Sequence, residues 1–306
     1  MKLMKNQNKN QLVFNQETRE NSQGKCQQAE DTIEKIGKSI IHHGKSSDRV
    51  YIMKFYEEDS DALYNLVNTL VHEKGYTKII AKVSEKLKPY LLDKDFRIEA
   101  HVPKFYQGRS DGYFMSYYTD PKRHTSQELE RINDVLEKAI RKKDETREPL
   151  VLDSDTDMMK LEKRHTKEMA KVYQQVFDSY PFPIFDPEYL AKTMEENIIY
   201  YGVFHHKQLV AIASGETDYS NLNAEMTDFA TLPEYRRQGY GQALLEAVES
   251  ALKQEGYRTL YTIARAVSYG MNITFAKSNY AYGGRLINNT DIAGQIETMN
   301  IWYKNI

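Results

Sequence analysis

One stretch constrains this chain more than any other: Thr231-Leu-Pro-Glu-Tyr-Arg-Arg-Gln-Gly-Tyr-Gly-Gln-Ala-Leu-Leu245. Before it, Asn223–Thr231 reads as a strand. After it, Gly239–Glu255 places Leu244, Leu245, Val248 and Leu252 on one helical face, and Gly256 suits the stop. A strand that turns through two close glycines into a long helix leaves the first helical N–H groups pointing outward. That is an anion site. Arg236 and Arg237 add positive charge beside it, so a pyrophosphate-bearing ligand is expected. Only 15 of 306 residues are glycine, which makes the Gly239–Gly241 pair stand out. The dinucleotide fingerprint Gly-x-Gly-x-x-Gly fails because Leu244 holds its last position. The Gly-Lys-Ser/Thr of a Walker A loop is absent too.

The segments around the turn alternate between strand and helix patterns. Val50–Tyr56 and Lys78–Val83 read as strands flanking a helix over Asp59–Lys74. A short helix over Leu87–Leu92 and strands near Phe96–His101 and Gly112–Tyr118 follow. Gln127–Glu145 is a charged helix, read as a connector. A second run then begins with a strand over Met159–His165 and a helix over Lys167–Tyr180. The prolines of Tyr180-Pro-Phe-Pro-Ile-Phe-Asp-Pro187 break that helix. A helix over Glu188–Glu196, strands over Asn197–His205 and Gln208–Thr217, and the strand and helix of the glycine turn come next. The chain closes with a strand over Thr259–Ala264, a helix over Tyr269–Ser278 and strands near Tyr282–Ile287 and Glu297–Tyr303. We therefore expect an α/β chain in four parts: a disordered tail over 1–30, an α/β unit over 31–125, a helical connector over 126–155 and a second α/β unit over 156–306.

Composition narrows the function classes. With 42 Lys+Arg against 44 Asp+Glu, the chain lacks the positive excess of a nucleic-acid binder. No run of 18 apolar residues is present, and the start lacks a signal peptide's apolar core, so no membrane partner and a cytoplasmic location are expected. Cys26 is the single cysteine, which excludes an intrachain disulfide and a cysteine-built zinc site. Residues 1–150 carry 27 basic and 24 acidic side chains, and residues 151–306 carry 15 and 20. An acidic C-terminal half suits a cationic substrate.

Arg236-Arg-Gln-Gly-Tyr-Gly241 resembles the Gln/Arg-x-x-Gly-x-Gly/Ala signature of the GNAT acetyltransferases, and the element order of 159–304 is similar to that fold. Further segments resemble the β-lysine N6-acetyltransferases within it: Ile40–Tyr51, Tyr76–Lys82, Asn223–Pro233, Tyr269–Phe275 and Glu297–Lys304. The resemblance implies a GNAT fold, a mixed and splayed central sheet with flanking helices, in the C-terminal half. The smaller unit before it would be a non-catalytic GNAT-like pseudo-domain. It implies acetyl-CoA as co-substrate and no metal. The partner would be a small cationic amine, β-lysine itself, which a lysine 2,3-aminomutase makes from lysine. A polyamine, another diamino acid or a protein lysine as acceptor, and a CoA-binding module without turnover, stay open. So does the oligomeric state.

The resemblance also implies site residues. Phe229, Ala230 and Thr231 would hydrogen-bond the pantetheine arm. Arg237, Gln238, Gly239, Tyr240, Gly241 and Gln242, with Arg236 beside them, would hold the pyrophosphate, and Asn272 would touch the CoA arm. An amine with a reference pKa near ~10.4 needs a proton acceptor. Glu225 and Asp228 are the candidates. Strand alternation puts Glu225, Thr227 and Phe229 on one face and Asp228 on the other, so the two acids are expected to face apart. Phe275 stands where many relatives carry a thiolate-protonating Tyr, which leaves water, Tyr280 or Tyr282 for that step. Tyr180 and Phe182 are expected in a roof over the substrate. An arginine should take its carboxylate, with Arg285, Arg265 and Arg49 as candidates. The pairs His42-His43 and His205-His206 are expected in turns or at the surface.

Overall fold

The computed structural model describes residues 31–143, 153–292 and 294–306. Cys26, the expected tail and residues 144–152 of the expected connector lie outside the described residues. The first half comprises β1 (Thr32–Ile36), β2 (Ser39–Gly44), β3 (Arg49–Lys54), α1 (Ser60–Lys74), β4 (Lys78–Ser84), α2 (Lys88–Leu92), β5 (Arg97–Tyr106) and β6 (Ser110–Tyr118). Helix α3 (Leu129–Arg141) follows. The second half comprises β7 (Thr156–Lys160), α4 (Thr166–Val176), α5 (Pro187–Glu196), β8 (Ile198–His205), β9 (Gln208–Asp218), β10 (Asn223–Thr231), α6 (Tyr240–Gln254), β11 (Thr259–Arg265), α7 (Tyr269–Lys277), β12 (Ala281–Ile292) and β13 (Gln295–Asn305).

The strands form one sheet in the order β1-β2-β3-β4-β6-β5-β12-β13-β11-β10-β9-β8-β7. Its halves repeat one pattern. In each, an antiparallel pair (β2–β3, β9–β10) leads through a helix to a parallel pair (β3–β4, β10–β11). An antiparallel hairpin then completes the half with its first strand outermost. The outermost strands, β5 and β12, meet at Ala100 opposite Gly284. Gly284 has φ +142°, and a Cβ there would sit 2.2 Å from the Glu99 carbonyl oxygen, so the joint needs glycine.

Each half buries α-helical apolar faces on its own side of the sheet. Val50, Ile52, Ile79 and Ala81 pack against Leu63, Val67 and Leu70 of α1. Ala224, Met226 and Leu260 pack against Leu245, Val248 and Leu252 of α6. A separate cluster joins the halves, where Tyr51, Ile80 and Phe114 meet Tyr261, Met299 and Ile301. Polar bonds fasten the same seam. Lys78, fully buried, reaches Glu99 at 2.9 Å and the Ile287 carbonyl at 2.8 Å.

Several boundaries differ from the sequence reading. β1 and β2 were not expected, and β7 ends at Lys160, before a short 3-10 turn over Lys163–His165. α4 stops at Val176, four residues short of the expected end. α3 buries Ile132, Val135 and Ala139, and its Asn133 and Asp134 bond Arg285 and Tyr269. His42 and His43 lie inside β2 and are buried, which corrects the expectation of a turn or surface position; Glu34 of β1 and Tyr76 bond His43, and Phe182 of the second half packs on His42.

Candidate active site

The glycine turn sits where β10 leaves β11. The parallel pairing covers only Asn223–Glu225 against Thr259–Tyr261. Further on, Ala230 and Thr231 keep Ile212 and Ala211 of β9 as partners. Phe229, Ala230 and Thr231 therefore present a backbone edge that β11 does not use. A 3-10 turn over Pro233–Tyr235 follows, and Arg236 Nε donates to the Thr231 carbonyl at 3.2 Å. Arg237 (φ 66°) and Gly239 (φ 80°) then take left-handed backbone. Gly239 caps α6 without a side-chain bond; the Gln242 and Ala243 N–H groups donate to its carbonyl at 3.0 and 3.1 Å, which leaves those of Tyr240 and Gly241 without a protein acceptor. A Cβ added to Gly241 would meet nothing within 4 Å. Arg236, Arg237 and Gln238 are exposed, while Gln242 reaches Glu246 at 3.3 Å. The Tyr240 ring is buried in the core, which leaves its backbone N–H for a ligand. The turn thus fits a pyrophosphate by shape and by charge.

The two acids do not face apart as simple alternation requires. The β9–β10 register shifts between Thr227 and Ala230, and Asp228 has φ 52°. This bulge re-aims the strand at the point where the splay begins. Asp228 is buried and accepts bonds from the Tyr180 hydroxyl and from Ser214 Oγ, each at 2.7 Å. Burial raises its carboxyl above the usual range, and the Tyr180, Ser214 and Thr227 hydroxyls oppose that rise.

Glu225 pairs in register with Glu216 on β9 and Tyr261 on β11. Burial, then the negative charge of Glu216, pushes its carboxyl up to about 7; Asp228 adds to the rise, and Lys82 and the Tyr261 hydroxyl oppose it. Glu216 is itself raised by burial. Lys82 comes from β4 in the other half and donates to the Tyr261 hydroxyl at 3.0 Å. Three carboxylates thus share one pocket, with Lys82 acting on Glu225 and Glu216 and Lys54 on Glu216 alone. Glu216, Lys82 and Tyr261 were missed from sequence, because only the register across β9, β10 and β11 and the meeting of the halves bring them to Glu225.

The loop after α4 roofs this pocket. Its Tyr180 reaches Asp228, and its Phe182 ring lies 5.1 Å from the buried His42 ring of the first half. Ser179 ties the loop to the β12–β13 hairpin through Asp291 at 3.3 Å.

Two expected ligand contacts are corrected. Asn272 is fully buried, and its amide donates to the Arg265 and Ser268 carbonyls at 2.9 and 2.7 Å. Its oxygen accepts from Asn300 and from Trp302 Nε1, both at 2.9 Å. A side chain so fully used binds α7 to β13 rather than touching CoA. Arg285 donates to Asn300 and to Asn133 of α3, at 3.2 and 2.7 Å, which makes it a brace for that helix. Arg265 pairs with Glu297. Phe275 is buried with its ring 5.6 Å from Phe229 and 5.0 Å from Tyr280. Tyr280 lies under Lys304, and Tyr282 stacks edge-on to Trp302 at 5.5 Å. Of the second histidine pair, His205 ends β8 and hydrogen-bonds Thr156, while His206 is in an exposed turn. Among the described residues, no group of three His, Cys, Asp or Glu side chains could hold a metal, and no helix is long and apolar enough to cross a membrane.

Known proteins match this chain in sequence. The sequence pattern of the Acetyltransferase (GNAT) family matches residues 166–272, from the start of α4 into α7. A β-lysine N6-acetyltransferase of Methanococcus maripaludis is 38% identical over 276 residues, which covers 90% of this chain and 98% of that protein. The N-acetyltransferase YodP of Bacillus subtilis is 32% identical, covering 88% of this chain and 96% of its own. A β-lysine N6-acetyltransferase of Methanosarcina mazei is 30% identical, covering 81% and 96%. The splayed strand, the uncapped glycine turn and these relatives together make the chain a GNAT acetyltransferase, belonging to the family that includes the β-lysine N6-acetyltransferases.

Proposed function

We propose that the protein transfers the acetyl group of acetyl-CoA to the N6 amine of β-lysine, by direct attack in a ternary complex. The observation that carries this reading is the cluster of buried Asp228 with half-buried Glu225 and Glu216, all with raised carboxyls, at the mouth of the splay. An entering ammonium group would offset the cost of keeping negative charge there. The names of the relatives from M. maripaludis and M. mazei support the choice of β-lysine among cationic acceptors.

Glu225 is the general base in this reading. Its carboxyl near 7 is poised to take a proton at neutral pH, directly or through water, and to release a neutral amine as nucleophile. Asp228 is less suited, because both its oxygens already accept hydroxyl bonds. It positions Tyr180, and Tyr180 and Phe182 cover the acceptor's methylenes. Acetyl-CoA supplies an activated acyl carbon and a thiolate leaving group. The N–H groups of Arg237–Gly241, with the start of α6 at Gln242 behind them, hold its pyrophosphate, and the free edge of Phe229–Thr231 holds its pantetheine arm. A backbone N–H at the bulge supports the developing oxyanion.

We read residues 31–125 as a non-catalytic pseudo-domain. Its α1 occupies the place of α6 in the repeated pattern. The turn before α1 carries Glu57, Glu58 and Asp59, with Asp61 in its first turn, and these would repel a pyrophosphate. Its inner face instead lends Lys82 and the His42–Phe182 contact to the active half.

A thiol-release assay with acetyl-CoA and a panel of amines tests the reading. Turnover of β-lysine should far exceed that of α-lysine and spermidine. Faster turnover of spermidine would replace the acceptor assignment. Acetyl-CoA binding without turnover of any amine would leave a binding module.

A further inference from the structure

A diamino-acid acceptor brings a carboxylate into the pocket, and Arg285 and Arg265 are already engaged. Arg49 is not. It is 5% exposed, and its Nε and Nη1 have no hydrogen-bond partner. It opens β3, with its guanidinium carbon 5.2 Å from the Tyr51 ring on the same strand face. That face is turned toward the active half, since Tyr51 packs in one cluster with Tyr261 and Met299. Glu225 is among the charges that act on Arg49. Around Arg49, the β2–β3 turn reaches the β12–β13 hairpin through Ser47 and Thr290 at 3.2 Å. His42, opposite Tyr51 on β2, touches Phe182 of the roof.

A buried guanidinium without an anion is costly to keep. Asp31 attracts Arg49 without bonding either free nitrogen, and Arg123, held by Asp48 at 2.8 Å, repels it. Burial lowers Arg49 to about 10, which marks how poorly its charge is compensated. A planar guanidinium binds a carboxylate bidentately through Nη2 paired with Nε or with Nη1, and both of those partner nitrogens are free here.

We propose that Arg49 binds the carboxylate of the amino-acid acceptor, so that the first half selects amino acids over amines that lack a carboxylate. This rests on the diamino-acid reading above. An acceptor would then span the seam, its carboxylate on β3 and its reacting amine at Glu225 on β10. An acceptor lacking the carboxylate would leave the guanidinium buried and unpaired, which is a penalty built into the site.

The test compares β-lysine with its carboxamide, in the wild type and in Arg49→Met and Arg49→Lys. The wild type should prefer the acid by about 100-fold or more in kcat/KM, and Arg49→Met should erase most of that preference. Arg49→Lys, which keeps the charge and loses the fork, should fall between. An unchanged KM for acetyl-CoA identifies a variant that has folded. The proposal is overturned if the wild type shows no acid preference, or if a folded Arg49→Met keeps it. If both variants fail to fold, the wild-type preference alone decides. If α-lysine turns over and β-lysine does not, the acceptor assignment fails, and α-lysine against lysinamide tests Arg49 in the same way. If only amines without a carboxylate turn over, both fail.

Discussion

Glu225→Gln separates catalysis from stability in one substitution. The wild-type carboxyl sits near 7, so kcat/KM should climb about tenfold between pH 6 and pH 8 as the base form goes from about a tenth to about nine-tenths of the protein. The substitution removes the proton acceptor and keeps the shape. The rate at pH 8 should drop by about 10²–10⁴, the usual worth of a positioned base, and the rising limb near pH 7 should vanish. Stability should move the other way. The folded pKa lies above the unfolded value of 4.5, so the stabilisation from a protonated Glu225 is complete below about 4.5 and is lost as pH rises through about 7. That difference corresponds to at most about 3 kcal/mol, because Glu216 and Asp228 share the burden of buried charge. Gln carries no charge, so Glu225→Gln should unfold at higher denaturant than wild type at pH 8 and at nearly the same denaturant at pH 4. Thiol-release kinetics over pH 5.5–9 and urea titrations at the two pH values are the measurements. Near-wild-type kcat with an intact pH limb would refute the base assignment. Equal stability at pH 8 would refute the buried-charge argument independently.

Other substitutions probe the cofactor turn and the seam. Gly241→Ala should leave the fold intact or stabilise α6 by about 0.5–1 kcal/mol, since its Cβ meets no protein atom, yet raise the acetyl-CoA KM if pyrophosphate packs there. Asn272→Ala should cost about 2–4 kcal/mol by stranding the Asn300 and Trp302 donors, with the acetyl-CoA KM little changed in the folded fraction; a selective rise in that KM would restore a CoA contact. Lys78→Met should destabilise by about 3–5 kcal/mol, because Glu99 loses its buried counter-charge, and Lys78→Met with Glu99→Gln should recover part of that in denaturant unfolding.

The glycine turn was legible because its signals are local. Two glycines with left-handed or open positions, an arginine pair and an apolar stripe over Leu244–Leu252 sit within a few turns of chain. The acid half was only partly legible. Glu225 and Asp228 could be found on the strand, but alternation assigned them opposite faces, and the bulge at Asp228 overrode that pattern. Asn272 and Arg285 misled for a related reason. Their residue types suit ligand binding, while their partners, Trp302 and Asn300 on β13 and Asn133 on α3, stand far away in sequence. β1 and β2 escaped because their few alternating residues are bracketed by charge, and it is pairing with β3 that makes them strands.

By itself, the sequence determined the α/β order, the strand–glycine turn–helix unit and the family, since these depend on spacing within one element or between neighbours. Only the tertiary structure decided which charges meet. The mild excess of base before residue 150 and of acid after it becomes Arg49 and Lys82 on one inner face, toward Glu216, Glu225 and Asp228 on the other. Burial then turns ordinary side chains into a carboxylate near 7 and a guanidinium lacking partners. Both properties come from removing water where β3 and β4 close over β10 and β11, a distance in space that no local pattern encodes.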